Sequence, residues 1–503
     1  MHLFTSYIWL AWATIGLAHA SLADNSLIRD IEQGQLKGVQ EGHSIHFRAI
    51  PYAQAPVGNM RWQAPAPPTS WQGLRSADRF GYICPQKNQA NVSREDCLTL
   101  NISAPSQPNT HEKLPVIVWL HGGGFVSGSG ASPVFSSEKW NKENVILVTL
   151  NYRLGAMGFF AHPALKHPEG SNYGLMDMIA ALKWLQTNIG EFGGNPERLT
   201  IMGGSAGGMA VQLLMVSPQA SGLFSGAITQ SGYGTSSIPR TREARPLKNA
   251  SSAEALSIEL AALAAHSKDR ELSSEELHNI PAQDFAENYS GAKFPFVDGI
   301  SLSEESAVLF AQGKQHPIPF IAGATSFDGN FFTPTPRNKH YVFSQVPNKI
   351  RRARRLYRDD FDRSEAQGLG RLYGDIRYVH NAFSVTQHMA LVSQPGYLYL
   401  FDYLPPEQRN SFPGAPHYSE VPMLFSGNSR TANTLRAYWL NFVRSGNPNG
   451  EGLAPWPSSE GEKRQWMVFN DEPATRENVL RRKMQFLERS YQDRISPLLQ
   501  SEK

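Results

Sequence analysis

A serine set among glycines, Gly203-Gly204-Ser205-Ala206-Gly207-Gly208, and a second run, His121-Gly122-Gly123-Gly124-Phe125, are the stretches whose residue types could do chemistry together. The first has the G-x-S-x-G form of a nucleophile elbow, a strained turn between strand and helix that lifts the serine hydroxyl above a sheet edge. Glycines on both sides remove β-carbons that would clash with the adjoining strand and helix. A helix starting after Ser205 would aim its free N–H groups and positive dipole end at the site, favouring developing negative charge. The second run has the form of an H-G-G-G loop, whose main-chain amides hold a tetrahedral oxyanion. Losing one such donor typically costs roughly 2.7–4 kcal/mol of the barrier. His121, beside the glycines, reads as a loop anchor rather than a base. The chemistry implied is acyl transfer from a serine nucleophile.

Both motifs need strands that end beside them. Leu114–Leu120, Val145–Leu150, Leu199–Met202, Gly226–Thr229, Pro319–Ala322, Tyr397–Tyr403 and Trp466–Phe469 are short, apolar and bounded by turn residues, as buried strands are. Leu175, Met178, Ile179, Leu182, Leu185 and Ile189 recur at helical spacing, with Gly190 as the expected stop. Such strands, separated by helices, predict an α/β protein with a mostly parallel central sheet flanked by helices. The H-G-G-G run directly follows the first strand, and the serine motif follows the third. From Arg240 to about Leu277 an Ala-, Ser- and Glu-rich stretch predicts exposed helices. From Asn338 to Arg363 a basic cluster (Lys339, Lys349, Arg351, Arg352, Arg354, Arg355 and Arg358) reads as a solvated helix face near Asp359, Asp360 and Asp362. No Gly/Ser-rich linker separates these stretches from the strands, so they read as insertions.

Composition narrows the function. The 503 residues are 41% apolar and 18% charged, which excludes a mainly disordered chain. Lys plus Arg number 47 and Asp plus Glu 44, and a surplus of +3 supplies no strong field for DNA, RNA or an anionic membrane. Two cysteines, Cys84 and Cys97, are too few for a disulfide scaffold or a Cys-rich zinc site and are compatible with one bridge. Tyr7–Leu17 is an apolar run too short for a bilayer span of about 20 residues. The small-residue patterns Ala18-His19-Ala20 and Ser21-Leu22-Ala23 follow it, the layout of a secretory signal peptide over residues 1–23. A secreted or periplasmic destination is expected, where the two cysteines can pair.

Further segments carry a resemblance. Phe47-Arg48-Ala49-Ile50-Pro51-Tyr52-Ala53, Glu95-Asp96-Cys97-Leu98-Thr99-Leu100-Asn101-Ile102, Asn151-Tyr152-Arg153-Leu154-Gly155, Phe192-Gly193-Gly194-Asn195-Pro196, Gln230-Ser231-Gly232 and Gly446-Asn447-Pro448 stand in order along the chain. With the two glycine motifs, they resemble the type B carboxylesterases, α/β-hydrolases that include cholinesterases and bile-salt lipases. The resemblance implies an α/β-hydrolase fold with helical insertions over the active site. It also implies the chain order Ser, acid, His, with Ser205 as nucleophile. The acid falls in Gly323-Ala324-Thr325-Ser326-Phe327-Asp328-Gly329, making Asp328 the candidate and Asp298 and Glu420 its rivals. The base falls in Gly414-Ala415-Pro416-His417-Tyr418-Ser419-Glu420, making it His417. Oxyanion donors would be the N–H groups of Gly123, Gly124 and Ala206, and Cys84–Cys97 a disulfide.

The length alone suggests about three units. Because Ser205, Asp328 and His417 must meet, one large domain over residues 24–503 is expected instead. An Asp is one methylene shorter than the family's usual Glu acid, so its loop must approach the histidine more closely. Gly204 stands where the family usually has Glu, and the Cys84–Cys97 loop holds no Trp of the kind cholinesterases use for choline by cation–π attraction. The expectation is a carboxylic ester hydrolase without metal or organic cofactor, acting on a small-molecule or lipid ester other than choline esters. The alternatives are a lipase for longer acyl chains and a non-catalytic adhesion protein of the same family.

Overall fold

The apolar runs become strands of one sheet, as fully buried runs in an α/β chain should. The computed structural model describes residues 25–166, 168–242, 251–267, 271–288, 295–459 and 464–500; the expected signal peptide lies outside the described residues. Among these the main sheet has eleven strands. They are β1 (Val39–Glu41), β2 (Ser44–Pro51), β3 (Thr99–Pro105), β4 (Leu114–Leu120), β5 (Ile146–Leu150) and β6 (Gly194–Gly204). Then follow β7 (Gly226–Gln230), β8 (Phe320–Thr325), β9 (Gly396–Phe401), β10 (Gln465–Phe469) and β11 (Ala474–Glu477). Their spatial order is β11-β10-β9-β8-β7-β6-β4-β5-β3-β2-β1. Neighbours from β10 across to β5 are all parallel, and β11 and β3 to β1 add antiparallel edges. With helices on both faces this is an α/β-hydrolase fold.

Alternation sorts the side chains of each buried strand into two layers. Val116, Val118 and Leu120 of β4 join one apolar cluster with residues of α1 (Tyr173–Asn188) and α2 (Ala206–Val216). On that face α3 (Glu365–Gly374) continues through one π-helical turn, Asp375–Val379. Ile117 and Trp119 join the opposite cluster with α4 (Glu420–Ser426) and α5 (Arg430–Ser445), where the Trp119 and Phe425 rings meet edge-on at 5.0 Å.

Three expectations change. Helix α1 does not stop at Gly190; it tightens into a 3-10 turn, Ile189–Phe192, and ends at Gly193 with φ +83°. A left-handed glycine at the end of the tightened turn closes it better than one within it. Strand β6 is longer than its apolar run, because Gly194–Arg198 lies at the half-exposed end of the sheet where apolar residues are not required. The Arg240–Leu277 stretch is not simply exposed. Its helix Ala253–Ala264 buries Leu260, Ala261 and Ala264 in a cluster with Trp62 and Phe285, an apolar stripe disguised by small residues. Residues 243–250 and 268–270 lie outside the described residues. In the basic stretch Arg351 and Arg355 are exposed, while Arg354 pairs with Glu365 and Lys349 with Asp493.

A buried ion pair fixes the segment after β5. Arg153 Nη2 lies 2.7 Å from Asp177 Oδ1 on α1, with both side chains almost fully buried. Asp177 Oδ2 accepts from Arg153 Nε and from its main-chain N–H, and a second guanidinium N–H reaches the Gln63 carbonyl. The neighbouring Tyr152 hydroxyl donates to the His121 carbonyl at 2.7 Å, and the Gly155 N–H to the Phe125 carbonyl. The pair therefore anchors the glycine run from below. Removing one partner leaves a buried charge without its counter-charge. Asp177→Ala is expected to lower unfolding stability by about 3–5 kcal/mol in a urea titration, and a loss under about 1 kcal/mol would show that the pair anchors nothing.

Candidate active site

Ser205 sits between the end of β6 and the start of α2 with φ +56° and ψ −119°, a backbone that a side-chain-bearing residue adopts only under strain. Its N–H donates to the Gln230 carbonyl at 2.8 Å, tying the turn to the end of β7. The approach around it is close: a β-carbon on Gly207 would lie 2.0 Å from the Leu120 carbonyl oxygen. Only glycine fits there.

The glycine run leaves the end of β4 beside that turn. Gly123 and Gly124 have φ of +106° and +66°, and a β-carbon on Gly123 would strike the Ser127 carbonyl at 2.1 Å. Ala206 is the first residue of α2, where a helix leaves its N–H groups unsatisfied. Among the described residues the N–H groups of Gly123, Gly124 and Ala206 have no protein acceptor. His121 is buried, its ring stacked on Tyr152 at 4.4 Å and its Nδ1 2.8 Å from the Gly122 carbonyl. Burial pulls its pKa down to about 4, so the ring is neutral and the hydrogen bond places its proton on Nδ1. It anchors the loop. Gln86 clamps the far end, accepting from the Gly128 N–H and donating to the Gly128 carbonyl, both at 3.0 Å. Gln86 itself lies within the loop closed by the Cys84–Cys97 disulfide.

Asp328 and His417 meet from the loops that follow β8 and β9. His417 Nδ1 hydrogen-bonds Asp328 Oδ1, which fixes the proton on Nδ1 and leaves Nε2 as an acceptor. The other carboxylate oxygen accepts from the Ser231 hydroxyl and from the Thr325 N–H, each at 2.8 Å. The short Asp reaches because the two loops are joined: Phe327 and Pro416 form a parallel bridge, and the Phe327 N–H donates to the Ala415 carbonyl at 2.9 Å. The π-helical turn brings the Tyr378 ring to 4.8 Å from the imidazole, and Phe331 stands at 5.0 Å. Ser205 Oγ and His417 Nε2 are not hydrogen-bonded to each other here. Such contacts often tighten only when a substrate is bound.

The rival acids are placed elsewhere. Asp298 accepts from the N–H groups of Ser171, Ile300, Ser301 and Leu302, the work of a turn-forming carboxylate. Glu420 faces the Tyr399 hydroxyl at 3.4 Å rather than His417. Sequence reasoning gave no role to Ser231, Gln86, Tyr378 or Tyr418. Ser231 and Tyr418 stood in recognised segments, whereas Gln86 and Tyr378 act across chain folds that no local pattern records.

The carboxylesterase family model matches residues 25–487. The chain belongs to the carboxylesterase family. It is 32% identical to the fumonisin B1 esterase of Sphingopyxis macrogoltabida, over 94% of this chain and 92% of that protein. It is 31% identical to the para-nitrobenzyl esterase of Bacillus subtilis (strain 168), over 88% and 94% of the two chains. Among solved structures, a PNB esterase and a carboxylesterase of Geobacillus stearothermophilus each superpose with a TM-score of 0.80 at 30% identity, covering 92% of this chain and 100% of theirs. This carboxylesterase is a carboxylic ester hydrolase. No helix of the described residues is long and apolar enough to cross a membrane, and none of their His, Cys, Asp and Glu clusters could hold a metal ion.

Inside the carboxylesterase core Glu420 is fully buried. Burial first, and then the nearby Asp328 charge, push its pKa up to about 8. The folded state thus keeps a proton that the unfolded chain releases near pH 4.5. Between those values the unfolded state binds fewer protons, so stability falls as pH rises from about 4.5 through about 8. Glu420→Gln should flatten that slope, raising the melting temperature at pH 8 relative to the parent more than at pH 5. Equal shifts at both pH values in a thermal melt would refute the buried neutral carboxyl.

Proposed function

We propose that this carboxylic ester hydrolase is a serine enzyme whose triad is Ser205, His417 and Asp328. The observation that carries the reading is the Asp328–His417 hydrogen bond between the loops that follow two adjacent parallel strands, beside a serine held in a strained elbow. His417 Nε2 takes the Ser205 proton as the oxygen attacks the ester carbonyl. The oxyanion is met by the N–H groups of Gly123, Gly124 and Ala206. His417 then protonates the leaving alcohol, and Asp328 stabilises the imidazolium. Water, deprotonated by the same histidine, releases the acid from the acyl-enzyme.

The surroundings support an ester with an apolar group beside the scissile bond. Phe331, 50% exposed, and Tyr378 present aromatic faces next to His417. With no carboxylate at position 204 and no Trp between Cys84 and Cys97, choline esters are not the substrates. A secreted or periplasmic location is part of the same proposal, supported by the Cys84–Cys97 disulfide and the apolar run Tyr7–Leu17.

Ser205→Ala should abolish p-nitrophenyl ester hydrolysis and covalent fluorophosphonate labelling while the protein stays folded; hydrolysis at the parent rate defeats the assignment. Asp328→Asn, which frees the wrong imidazole tautomer, should lower kcat by about 10⁴-fold. In a competition assay, butyrylthiocholine should be hydrolysed no faster than a neutral thioester of the same acyl chain. A clear preference for the cation would contradict the electrostatic reading.

A further inference from the structure

The residue after His417 is a tyrosine on a backbone that suits glycine. Tyr418 has φ +69°, a left-handed conformation in which a bulky residue persists only when its surroundings hold it. Its ring does not point to solvent. It packs on the apolar cluster that contains Trp119 and Phe425, and reaches the nucleophile elbow and the glycine run at once. A β-carbon built on Gly204 would lie 2.5, 3.1 and 3.4 Å from three ring carbons of Tyr418, and these are the nearest atoms it would meet. A β-carbon on Gly122 would lie 3.3 Å from Ser205 Cβ and 3.4 Å from the same ring. The ring therefore fills the space beside the serine where the next residue back would otherwise carry a side chain.

The hydroxyl end of that ring lies beside the Gly122 backbone. Gly122 is the residue directly before the Gly123 and Gly124 amides. Its carbonyl is already held by His121 Nδ1, and the neighbouring His121 carbonyl by the Tyr152 hydroxyl. The glycine run is thus gripped by Tyr152 on the β5 side and by Tyr418 on the histidine side.

We propose that Tyr418 is a positioning residue that locks the oxyanion loop to the histidine loop, and that Gly204 is the vacancy admitting its ring. The inference rests on the serine-hydrolase reading above. The phenol sets where the amides of Gly123 and Gly124 stand relative to Ser205, so its loss acts on the transition state and not on ground-state binding.

Steady-state kinetics on a p-nitrophenyl ester test it. Tyr418→Phe keeps the ring and removes the hydroxyl; kcat should fall about tenfold with KM within about twofold, while the melting temperature and the one-to-one fluorophosphonate stoichiometry stay at parent values. Gly204→Ala drives a methyl into the ring and should cost about tenfold or more in kcat/KM. In the Gly204→Ala/Tyr418→Gly pair the methyl has room, so the double variant should match Tyr418→Gly alone. Parent-like kcat in Tyr418→Phe, a loss carried wholly by KM, or losses that multiply in the double variant would each overturn the proposal. These outcomes are separable from failure of the triad: if Ser205→Ala is inactive and Tyr418→Phe is not impaired, only the role of Tyr418 falls.

Discussion

The site depends on how closely two stretches of main chain can approach. Where β4 ends and α2 begins, the Leu120 carbonyl, the Gly204 carbonyl and the α-carbons of Gly122 and Gly207 sit within a few ångströms of one another. Any β-carbon at Gly207 would force the strand end away from the helix. The main-chain donors after β4 would then stand too far from the serine to meet a shared reacting atom, since such donors work at about 2.7–3.1 Å from the oxyanion. Glycine is therefore a distance requirement here. The strain at Ser205 has the same origin, because the turn must reverse between strand and helix without retreating from β4.

The Asp328–His417 pair is held by a second close approach of the same kind. A β-carbon on Gly329, next to Asp328, would fall 1.9 Å from the Gly370 carbonyl of α3, and one on Gly374 would fall 2.6 Å from the Gly329 N–H nitrogen. Helix α3 can thus lie directly on the acid turn, and its π-helical extension turns Tyr378 onto the imidazole. Buried on this scaffold, the Asp328 carboxylate has its oxygens matched by the His417 ring, the Ser231 hydroxyl and the Thr325 N–H. A buried carboxylate is tolerable only when its oxygens are satisfied in this way.

What was legible in the sequence is what the backbone decides locally. The β4 strand was readable residue for residue, because a fully buried parallel strand is an uninterrupted apolar run, and the Ser205 turn was readable because its glycines are local necessities. His417 and Asp328 were readable only through the family resemblance, since one histidine among fifteen has no local mark. The Gln86 clamp on Gly128, the Arg153–Asp177 pair and the Tyr418 wedge were not readable. Each joins segments that meet only after folding, and each uses a residue type unremarkable in its own stretch. The Ala253–Ala264 helix failed for a related reason: alanines line most of its buried face, and so short a side chain leaves only a weak apolar stripe in the sequence.

The departure at position 204 changes the charge of the site and not only its shape. A carboxylate there would stand beside the nucleophile and draw cationic groups toward the histidine. The Tyr418 ring occupies that volume with a group whose phenol burial keeps neutral. Glu420, the next carboxyl in the chain, is also uncharged below about pH 8. In the proposed triad, an imidazolium formed at neutral pH would therefore be compensated chiefly by Asp328, whose hydrogen bonds are already in place and need no reorganisation as charge develops. Above about pH 8, ionisation of Glu420 adds a second negative charge behind the first. With the proposed triad, the carboxylesterase would work at neutral pH with a single negative charge behind its histidine. Such an arrangement would favour neutral esters over cationic ones.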